Sequence, residues 1–391
     1  MRFLTTKLID TGLLLIPLFL AACGGSNGGG GGNGGGGSTA APATNTTTRY
    51  FAYVTNYTSN DVRTYSIDAT SGALTAVGAP VATGSHPYQV AVDPSGRFVY
   101  VANIDSDDIS TYSINAATGA LTPVGTPAVA GNEPDFVTVH PSGKFAYVAN
   151  YRSADVWTYS IDAASGALTP VGAPVATGPN ESSLTVHPSG KFAYMVHTDY
   201  SGFGDISAFT IDAATGALTF ASTIAASPYP TYINVEPSGK FAYVSNEGGG
   251  NTVSAYTINP TTGALTFVAS TASGVQPYGV AVDPSGRFVY SANAGSDNVS
   301  AYTINAATGA LTAVGAPVPA GPGPFSLAVD PSGRFAYVAN SNTHSNANGS
   351  GGAGSITIYT IDATTGALTA LGAPVAAGGN PRSITTTRTI E

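Results

Sequence analysis

The chain has 391 residues, of which 49 are glycine, 26 are proline and only 9% are charged. Long helices and coiled coils are excluded because such chains are rich in Glu, Lys and Arg, and general disorder is excluded because 43% of the residues are hydrophobic. The formal net charge of −9, without any cluster of Lys or Arg, argues against nucleic acid as a partner, and the single cysteine excludes an internal disulfide.

The first 22 residues predict a bacterial lipoprotein signal peptide. Arg2 and Lys7 precede an apolar run at residues 13–20 that is too short to span a bilayer. The Leu-Ala-Ala-Cys run that ends at Cys23 resembles a lipobox, which implies cleavage before Cys23 and attachment of lipid to it. An ordinary secretory signal followed by a chance cysteine is the alternative. We expect the protein to lie in the bacterial cell envelope, at the outer membrane or at a periplasmic or extracellular face, held through Cys23.

Residues 23–48 predict a flexible linker between this anchor and the folded body. Eleven of the fourteen residues from Gly24 to Gly37 are glycine, and a stretch rich in Thr, Ala and Pro continues to Thr48. Such a composition offers no side chains that pack, so it forms a flexible coil. The folded body is therefore expected to begin at residue 49.

From residue 49 to the end, two short runs each recur seven times. A Gly-Ala-Leu-Thr run has its leucine at Leu74, Leu121, Leu168, Leu218, Leu265, Leu311 and Leu368. A second run, of the Tyr-Val-Ala-Asn type, ends at Asn56, Asn103, Asn150, His197, Asn246, Asn293 and Asn340. A period of 40 to 50 residues is typical of solenoids and propellers.

Each repeat predicts four short strands, which we name A to D in chain order. In the second copy they cover residues 89–92, 98–103, 109–114 and 120–124. Asp93-Pro94-Ser95-Gly96 between A and B suits a type I turn, with proline at its second position. Strand D runs into Gly-Ala-Pro in most copies, as at Pro80. Because proline cannot donate to a ladder, D is predicted to be the outer edge strand.

The two chain ends predict a closed ring. The chain begins with a B strand at residues 50–56 that has no A strand before it, and it ends with an A strand at residues 381–387 that has no B strand after it. Only a closed ring lets these halves complete one blade, with residues 383–387 beside residues 51–55. The sequence therefore predicts an all-β, seven-bladed propeller over residues 49–391.

The loops on one face of the predicted propeller differ between copies. The A–B and C–D turns of the other face are nearly constant, and His140 and His187, in the slot of Asp93, are predicted to cap turns rather than bind metal. The D–A and B–C loops place carboxylates, aromatic rings and a few cations around the axial mouth, which suits a small polar ligand such as a sugar or sugar acid. Solvated loops without a ligand carry similar residues. The predicted ligand-binding residues of this variable face are His86, Glu133, Asp135, Arg152, Glu181, His197, Asp199, Tyr229, Gln276 and Arg382.

Two further loops have unusual sequences. Asp105-Ser106-Asp107-Asp108 faintly resembles a calcium loop but lacks the central Gly and distal Glu of an EF-hand, so we predict a B–C turn. Residues 341–354 form an insertion relative to the other copies, which fits either a lid over the mouth or a tolerated insertion. No zinc or serine-hydrolase pattern occurs, and we expect neither a metal nor a cofactor.

The Tyr-Val-Thr-Asn run at Tyr53 and the Asp-Pro-Ser-Gly-Arg run at Asp93 resemble the bacterial lactonase propellers. That family includes the propeller-type 6-phosphogluconolactonases and the carboxy-muconate lactonizing enzymes. The resemblance covers residues 49–390 and implies a catalytic His, Arg and Glu. Glu247 stands in the glutamate slot, whereas the histidine slot holds Ser182 and the arginine slot holds Thr231.

We therefore expect a lipid-anchored, monomeric propeller that binds a small polar ligand or a partner protein on its variable face. The alternative is a lactone hydrolase of altered specificity, with Glu247 as general base and Arg152, His197 or Arg382 stabilising the oxyanion. A purely structural surface protein is a second alternative.

Overall fold

The computed structural model describes residues 47–178, 181–198, 202–248, 250–343 and 352–390. These residues form seven antiparallel sheets arranged in a ring, so the predicted seven-bladed β-propeller is confirmed. The first described strand begins at Thr48 and the last ends at Ile390. Cys23, the predicted signal peptide and nearly all of the predicted linker lie outside the described residues. In the described part, no helix has the length and apolar character needed to cross a membrane.

The blades are numbered from the one that contains the first strand, and their strands run from A at the axis to D at the rim. The A strands of blades 1 to 7 are Pro381–Ile390, Pro87–Val92, Pro134–Val139, Glu181–Val186, Pro230–Val235, Pro277–Val282 and Pro324–Val329. The B strands are Thr48–Asn56, Phe98–Asn103, Phe145–Asn150, Phe192–Thr198, Phe241–Asn246, Phe288–Asn293 and Phe335–Asn340. The C strands are Asp61–Ile67, Asp108–Ile114, Asp155–Ile161, Gly204–Ile211, Thr252–Ile258, Asn298–Ile304 and Ala353–Ile361.

The outer strand D is continuous in two blades and split in five. It is unbroken in blades 4 and 5, as Leu218–Ala225 and Leu265–Ala272. In the other blades it consists of Leu74–Ala76 with Val81–Ala82, Leu121–Pro123 with Ala128–Val129, Leu168–Pro170 with Val175–Ala176, Leu311–Ala313 with Val318–Pro319, and Leu368–Ala370 with Val375–Gly379. The split falls where those five copies carry Gly-Ala-Pro or Gly-Thr-Pro, because proline cannot continue the ladder. The single predicted D strand thus needs correction in five blades.

The ring closes through pairing of the last strand with the first. Tyr53 lies opposite Thr385, and Phe51 lies opposite Thr387, in antiparallel register. Blade 1 therefore takes its A strand from the C-terminus and its other strands from the N-terminus, as the orphan strands predicted. The predicted pairing of residues 383–387 with residues 51–55 is confirmed.

Adjacent blades are joined by one repeated contact between a tyrosine and a glycine. The buried tyrosine of each B strand donates its hydroxyl to the carbonyl of the glycine before Ala-Leu in the next blade, as Tyr53 does to Gly119 at 3.0 Å. The same bond joins blade 7 to blade 1, from Tyr337 to Gly72 at 2.9 Å. The tyrosine and glycine of the repeat motifs are therefore explained by this contact between blades.

The turns of the constant face are held by their first side chain. Asp93 Oδ1 accepts hydrogen bonds from the backbone of Arg97 and Phe98, both at 2.7 Å. His140 replaces this aspartate in blade 3; its Nδ1 accepts from the backbone of Ser142 at 3.0 Å, and its Nε2 contacts the carbonyl of Gly190 at 2.9 Å. His187 makes the equivalent contacts one blade on. The predicted capping role of both histidines is confirmed.

Candidate active face and axial pocket

Two concentric rings of side chains form the variable face. Strand A begins with proline in every blade except blade 4, where Glu181 takes the place of the proline. The residue after this position lies at the axis, and the residue before it lies farther out. The inner ring is Tyr88, Asp135, Ser182, Thr231, Tyr278, Phe325 and Arg382. The described members of the outer ring are His86, Glu133, Tyr229, Gln276, Gly323 and Asn380.

Aromatic side chains close the axis at the level of the inner ring. The hydroxyls of Tyr88 and Tyr278, which belong to blades on opposite sides of the axis, are 2.8 Å apart. The Tyr278 ring stacks on that of Phe325, with the centroids 3.7 Å apart. On the other side, the Tyr232 ring meets the edge of Phe136, and Gln89 Nε2 lies 3.4 Å from the Tyr232 hydroxyl.

Arg382 is buried against three of these rings. Its side chain is 1% exposed, and its guanidinium carbon lies 4.6 Å, 5.2 Å and 5.6 Å from the ring centroids of Phe325, Tyr57 and Tyr88. A guanidinium over aromatic faces is stabilised electrostatically, and more strongly so when water is excluded. Arg382 therefore places a fixed positive charge at the axis.

A small pocket remains between these groups. It has a volume of about 250 Å³ including its open mouth, and its enclosed part has room for no more than about one water molecule. Its lining consists of Tyr88, Gln89, Phe136, Ser182, Tyr232, Tyr278, Phe325, Ser326 and Arg382. Ligand pockets for whole sugars or drug-sized molecules are usually larger. The pocket thus suits a single polar group of a ligand whose remainder lies on the face above.

Asp135 is the acidic residue of the inner ring. Its side chain is buried, and its Oδ1 atom has no hydrogen-bond partner among the described residues. Burial raises the pKa of the Asp135 carboxyl well above its usual range, and the nearby Glu133 raises it further. Burial also raises the pKa of Tyr88 to about 12 and that of Tyr278 well above its usual value. The hydroxyls of both tyrosines are therefore protonated at neutral pH.

Side chains of the outer ring lie between the B–C loops of neighbouring blades. His86 stacks on Tyr57 of the preceding blade at 4.3 Å and contacts Asp105 Oδ2 through Nδ1 at 2.6 Å. Glu133 pairs with Arg152 at 2.8 Å. The backbone conformation is the same in each case, with φ between 51° and 54° at the five non-glycine members. The left-handed backbone at the residue before strand A thus sends the side chain into the gap between blades.

Glu247 lies in this outer region, in contact with Gln276 and Tyr229. Gln276 Nε2 donates to Glu247 Oε1 at 2.9 Å, and the Glu247 backbone donates to Tyr229 O at 2.8 Å. Thr231, in the arginine slot, is buried, and its hydroxyl lies 3.0 Å from Ser245 Oγ and from the carbonyls of Pro277 and Tyr278. This slot serves packing between blades 5 and 6.

The predicted ligand-binding residues fall into separate groups. His86, Glu133, Arg152, Tyr229 and Gln276 lie on the outer part of the face, and Asp135 and Arg382 lie at the axis. His197 is buried beneath the face with Nε2 2.8 Å from Ser207 Oγ, and burial lowers its pKa. Asp199 and the side chain of Glu181 lie outside the described part, as does most of the 341–354 insertion.

Sequence reasoning missed most of the residues that line the pocket. The missed residues are Tyr88, Gln89, Phe136, Tyr232, Tyr278 and Phe325. A signal was present, because the two positions after the strand-A proline differ in size and polarity from one copy to the next. The three aspartates of the Asp105–Asp108 segment have different partners, which supports the predicted turn. Asp105 contacts His86. Asp107 accepts a hydrogen bond from the Glu133 backbone, and Asp108 accepts one from the Asn103 side chain. Within the described ranges, no group of three or more His, Cys, Asp and Glu side chains is arranged to hold a metal.

The fold and this face define a seven-bladed β-propeller whose variable loops surround an axial pocket. The family model described as "Lactonase, 7-bladed beta-propeller" matches residues 36–139, 145–236 and 221–326, and the chain belongs to this family. A search of curated proteins found no match.

Solved structures of similar fold include three with lactonase names. A candidate 6-phosphogluconolactonase of Bacteroides fragilis is 24% identical, with a TM-score of 0.73 over 87% of this chain and 98% of that one. A candidate 6-phosphogluconolactonase of Bacteroides uniformis is 21% identical, with a TM-score of 0.74 over 87% and 99%. The periplasmic gluconolactonase of Pseudomonas aeruginosa is 21% identical, with a TM-score of 0.70 over 86% and 99%. At these identities the likeness establishes the fold.

Proposed function

We propose that this propeller binds a small sugar-acid-like ligand on its variable face, with one polar group of the ligand in the axial pocket. The observation that carries the proposal is the convergence of Arg382, two tyrosine hydroxyls and Gln89 in one aromatic-lined pocket. Apolar walls with a few converging polar groups are the usual pattern of a small-molecule site. A fixed positive charge beside protonated phenols favours a carboxylate or another oxygen anion. The gluconolactonase name of one structural neighbour points to the same class of compound.

Calorimetric titration of the full chain with gluconate and related sugar acids tests this proposal. We expect binding to weaken about tenfold in Tyr88→Phe and in Tyr278→Phe, because each change removes one hydroxyl at the pocket and a lost hydrogen bond to a charged group costs about 1.5 kcal/mol or more. Tyr151→Phe, on an exposed loop away from the pocket, is the matched control. Absence of binding by every acid, or equal binding by Tyr88→Phe, would contradict the proposal.

Lactone hydrolysis is the second candidate, and the position of Glu247 favours it. The carboxylate is oriented by Gln276 and stands in the family's glutamate slot. Hydrolysis needs a base and a group that stabilises the oxyanion, and Thr231 cannot supply the positive charge of an arginine. We expect no turnover of a lactone panel above the spontaneous rate. Turnover that Glu247→Gln abolishes would establish the hydrolase instead, and a protein with neither turnover nor ligand binding would fit the structural alternative.

We also propose that Cys23 carries a lipid that holds the protein in the cell envelope. The lipobox-like run before Cys23 and the glycine-rich segment after it support this. Membrane fractionation after expression with labelled fatty acid tests it. We expect the wild-type chain to be labelled and sedimented with membranes and Cys23→Ala to be neither. An unlabelled wild-type chain would favour an ordinary secretory signal.

A further inference from the structure

The outer part of the variable face on blades 4 to 6 carries a second group of side chains that the axial pocket does not use. Eight large hydrophobic side chains are exposed in the described part of the chain, and three of them, Phe203, Tyr229 and Val275, belong to this sector. Phe203 is 71% exposed and Tyr229 is 48% exposed. Phe203 directly follows Gly202, whose carbonyl accepts a hydrogen bond from the Tyr229 backbone, so the two aromatic residues belong to adjoining loops. Apolar groups gathered on a polar face usually mark a binding surface.

The Tyr229 ring rests on two glycines. A Cβ atom at Gly202 would lie 2.3 Å from Tyr229 Cε2, and a Cβ atom at Gly248 would lie 2.3 Å from Tyr229 Cδ2. No larger residue fits at either position while the ring stays in place. The B–C loops of blades 4 and 5 therefore leave room for this ring and support its Cδ2–Cε2 edge.

Backbone hydrogen bonds hold the same three loops together. The Tyr229 backbone donates to Gly202 O at 3.0 Å, and the Glu247 backbone donates to Tyr229 O at 2.8 Å. The side chain of this same Glu247 accepts a hydrogen bond from Gln276 Nε2 at 2.9 Å. A half-exposed aromatic ring and a hydrogen-bonded carboxylate–amide pair are thus carried by loops that are bonded to one another through Tyr229 and Glu247.

We propose that this sector, formed by Phe203, Tyr229, Glu247 and Gln276, binds a neutral hexopyranose unit of a glycan. The negative face of an aromatic ring attracts the polarised C–H groups of a sugar ring, and a carboxylate with an adjacent amide accepts and donates hydrogen bonds to neighbouring hydroxyls. Two charged residues of the described part of this sector, Glu247 in a loop and Asp205 at the start of the blade 4 C strand, are acidic and repel a sugar acid or sugar phosphate. The site is separate from the axial pocket with Arg382 and takes a different class of ligand.

Titration of the full chain with neutral pyranosides tests the inference. The probes are methyl glucopyranosides, methyl galactopyranosides and N-acetylglucosamine, with gluconate as the anionic comparison. We expect at least one neutral probe to bind, and Tyr229→Leu to weaken its binding about tenfold while Tyr229→Phe retains it, because the ring rather than the hydroxyl forms the platform. Tyr151→Leu, which changes another exposed tyrosine of the same face, should bind as the wild type does.

The outcomes separate this site from the axial one. Tyr88→Phe should leave binding of the neutral probe unchanged, whatever its effect on sugar acids. Equal thermal stability of Tyr229→Leu and Tyr229→Phe would show that the loss does not come from unfolding. Failure of every neutral probe to bind, or equal binding by Tyr229→Leu and the wild type, would overturn the inference.

Discussion

Some glycines of this propeller lie so close to a side chain of the neighbouring blade that no larger residue fits there. Gly72 has φ of 73°, and a Cβ atom there would lie 2.3 Å from Phe335 Cδ1 across the closing interface. Gly78 has φ of 64° but has nothing within 4 Å of such an atom. A side chain at either position would carry the conformational cost of a left-handed backbone. Only at Gly72 would it also clash with a neighbouring residue.

Gly72→Ala should destabilise the protein by about 2 to 5 kcal/mol, and Gly78→Ala by about 1 to 2 kcal/mol. The first change combines a left-handed alanine with overpacking against Phe335, whereas the second carries only the conformational cost. Denaturant unfolding at equilibrium measures both. Equal losses in the two variants would contradict the role assigned to the interface between blades.

Asp135 predicts a dependence of stability on pH. Its carboxyl has a raised pKa in the folded protein, while in the unfolded chain it ionises near 3.9. Above that value the unfolded state loses its proton and the folded state keeps it, so this group lowers stability as the pH rises toward the folded pKa. Asp135→Asn should therefore melt at a higher temperature than the wild type at pH 7, with the difference absent near pH 3.5. A variant that is less stable than the wild type at pH 7 would show that the carboxyl has an ionised partner.

At the scale of elements, one proline decides the form of the outer strand. Five D strands are interrupted at Gly-Ala-Pro or Gly-Thr-Pro, whereas blades 4 and 5 have no proline there and keep eight-residue strands. Both continuous strands contain a register shift, opposite Ala208 and Ala255. The outer strand of every blade is therefore irregular, through either a proline or a register shift. This irregularity hinders its pairing with a strand of another chain.

The B strands show the opposite pattern because each lies in the middle of a blade and between two other blades. Strand Phe98–Asn103 is buried along its whole length, and the equivalent strands of the other blades are nearly or fully so. Continuous apolar runs are the sequence pattern of a strand covered on both faces. This is why B was predicted with correct bounds in the second copy, whereas the short half-exposed D strand was not.

At the scale of the whole molecule, stability depends on closing the ring. The C-terminal strand buries Arg382, Ser383 and Ile384 and pairs with the first strand along its length. Without it, the axial side of Thr48–Asn56 would lose its hydrogen-bond partners, and blades 2 and 7 would lose a neighbour at the axis. Each such loss exposes backbone groups and apolar surface together.

Truncation after Gly379 should abolish cooperative unfolding. Differential scanning calorimetry of the full chain should give a single transition, and the truncated chain should give none or a broad one at much lower temperature. A chain that ends at Ile390 serves as the control and should match the wild type. A truncated chain with an unchanged transition would mean that blade 1 is stable without its inner strand.

The sequence alone determined the fold, the number of blades and the closing pair of strands. These features follow from the repeat period, the turn residues and the hydrophobic pattern of the strands. All three are local and occur seven times, so that each copy supports the prediction for the others. It also located the variable face, because loops that differ stand out against constant turns. The turn-capping role of His140 also followed from its slot in the repeat, whereas for Glu247 the repeat gave a position but not its partners.

Only the tertiary structure decided how the loop residues are arranged. Residues on either side of the same proline separate into an inner and an outer ring because the backbone turns at that point. Contacts across the axis then link blades that are far apart in the chain. The contact of Tyr88 with Tyr278 links positions 190 residues apart. Such contacts depend on the radius of the closed ring and on side-chain size at seven positions at once, which no single repeat encodes.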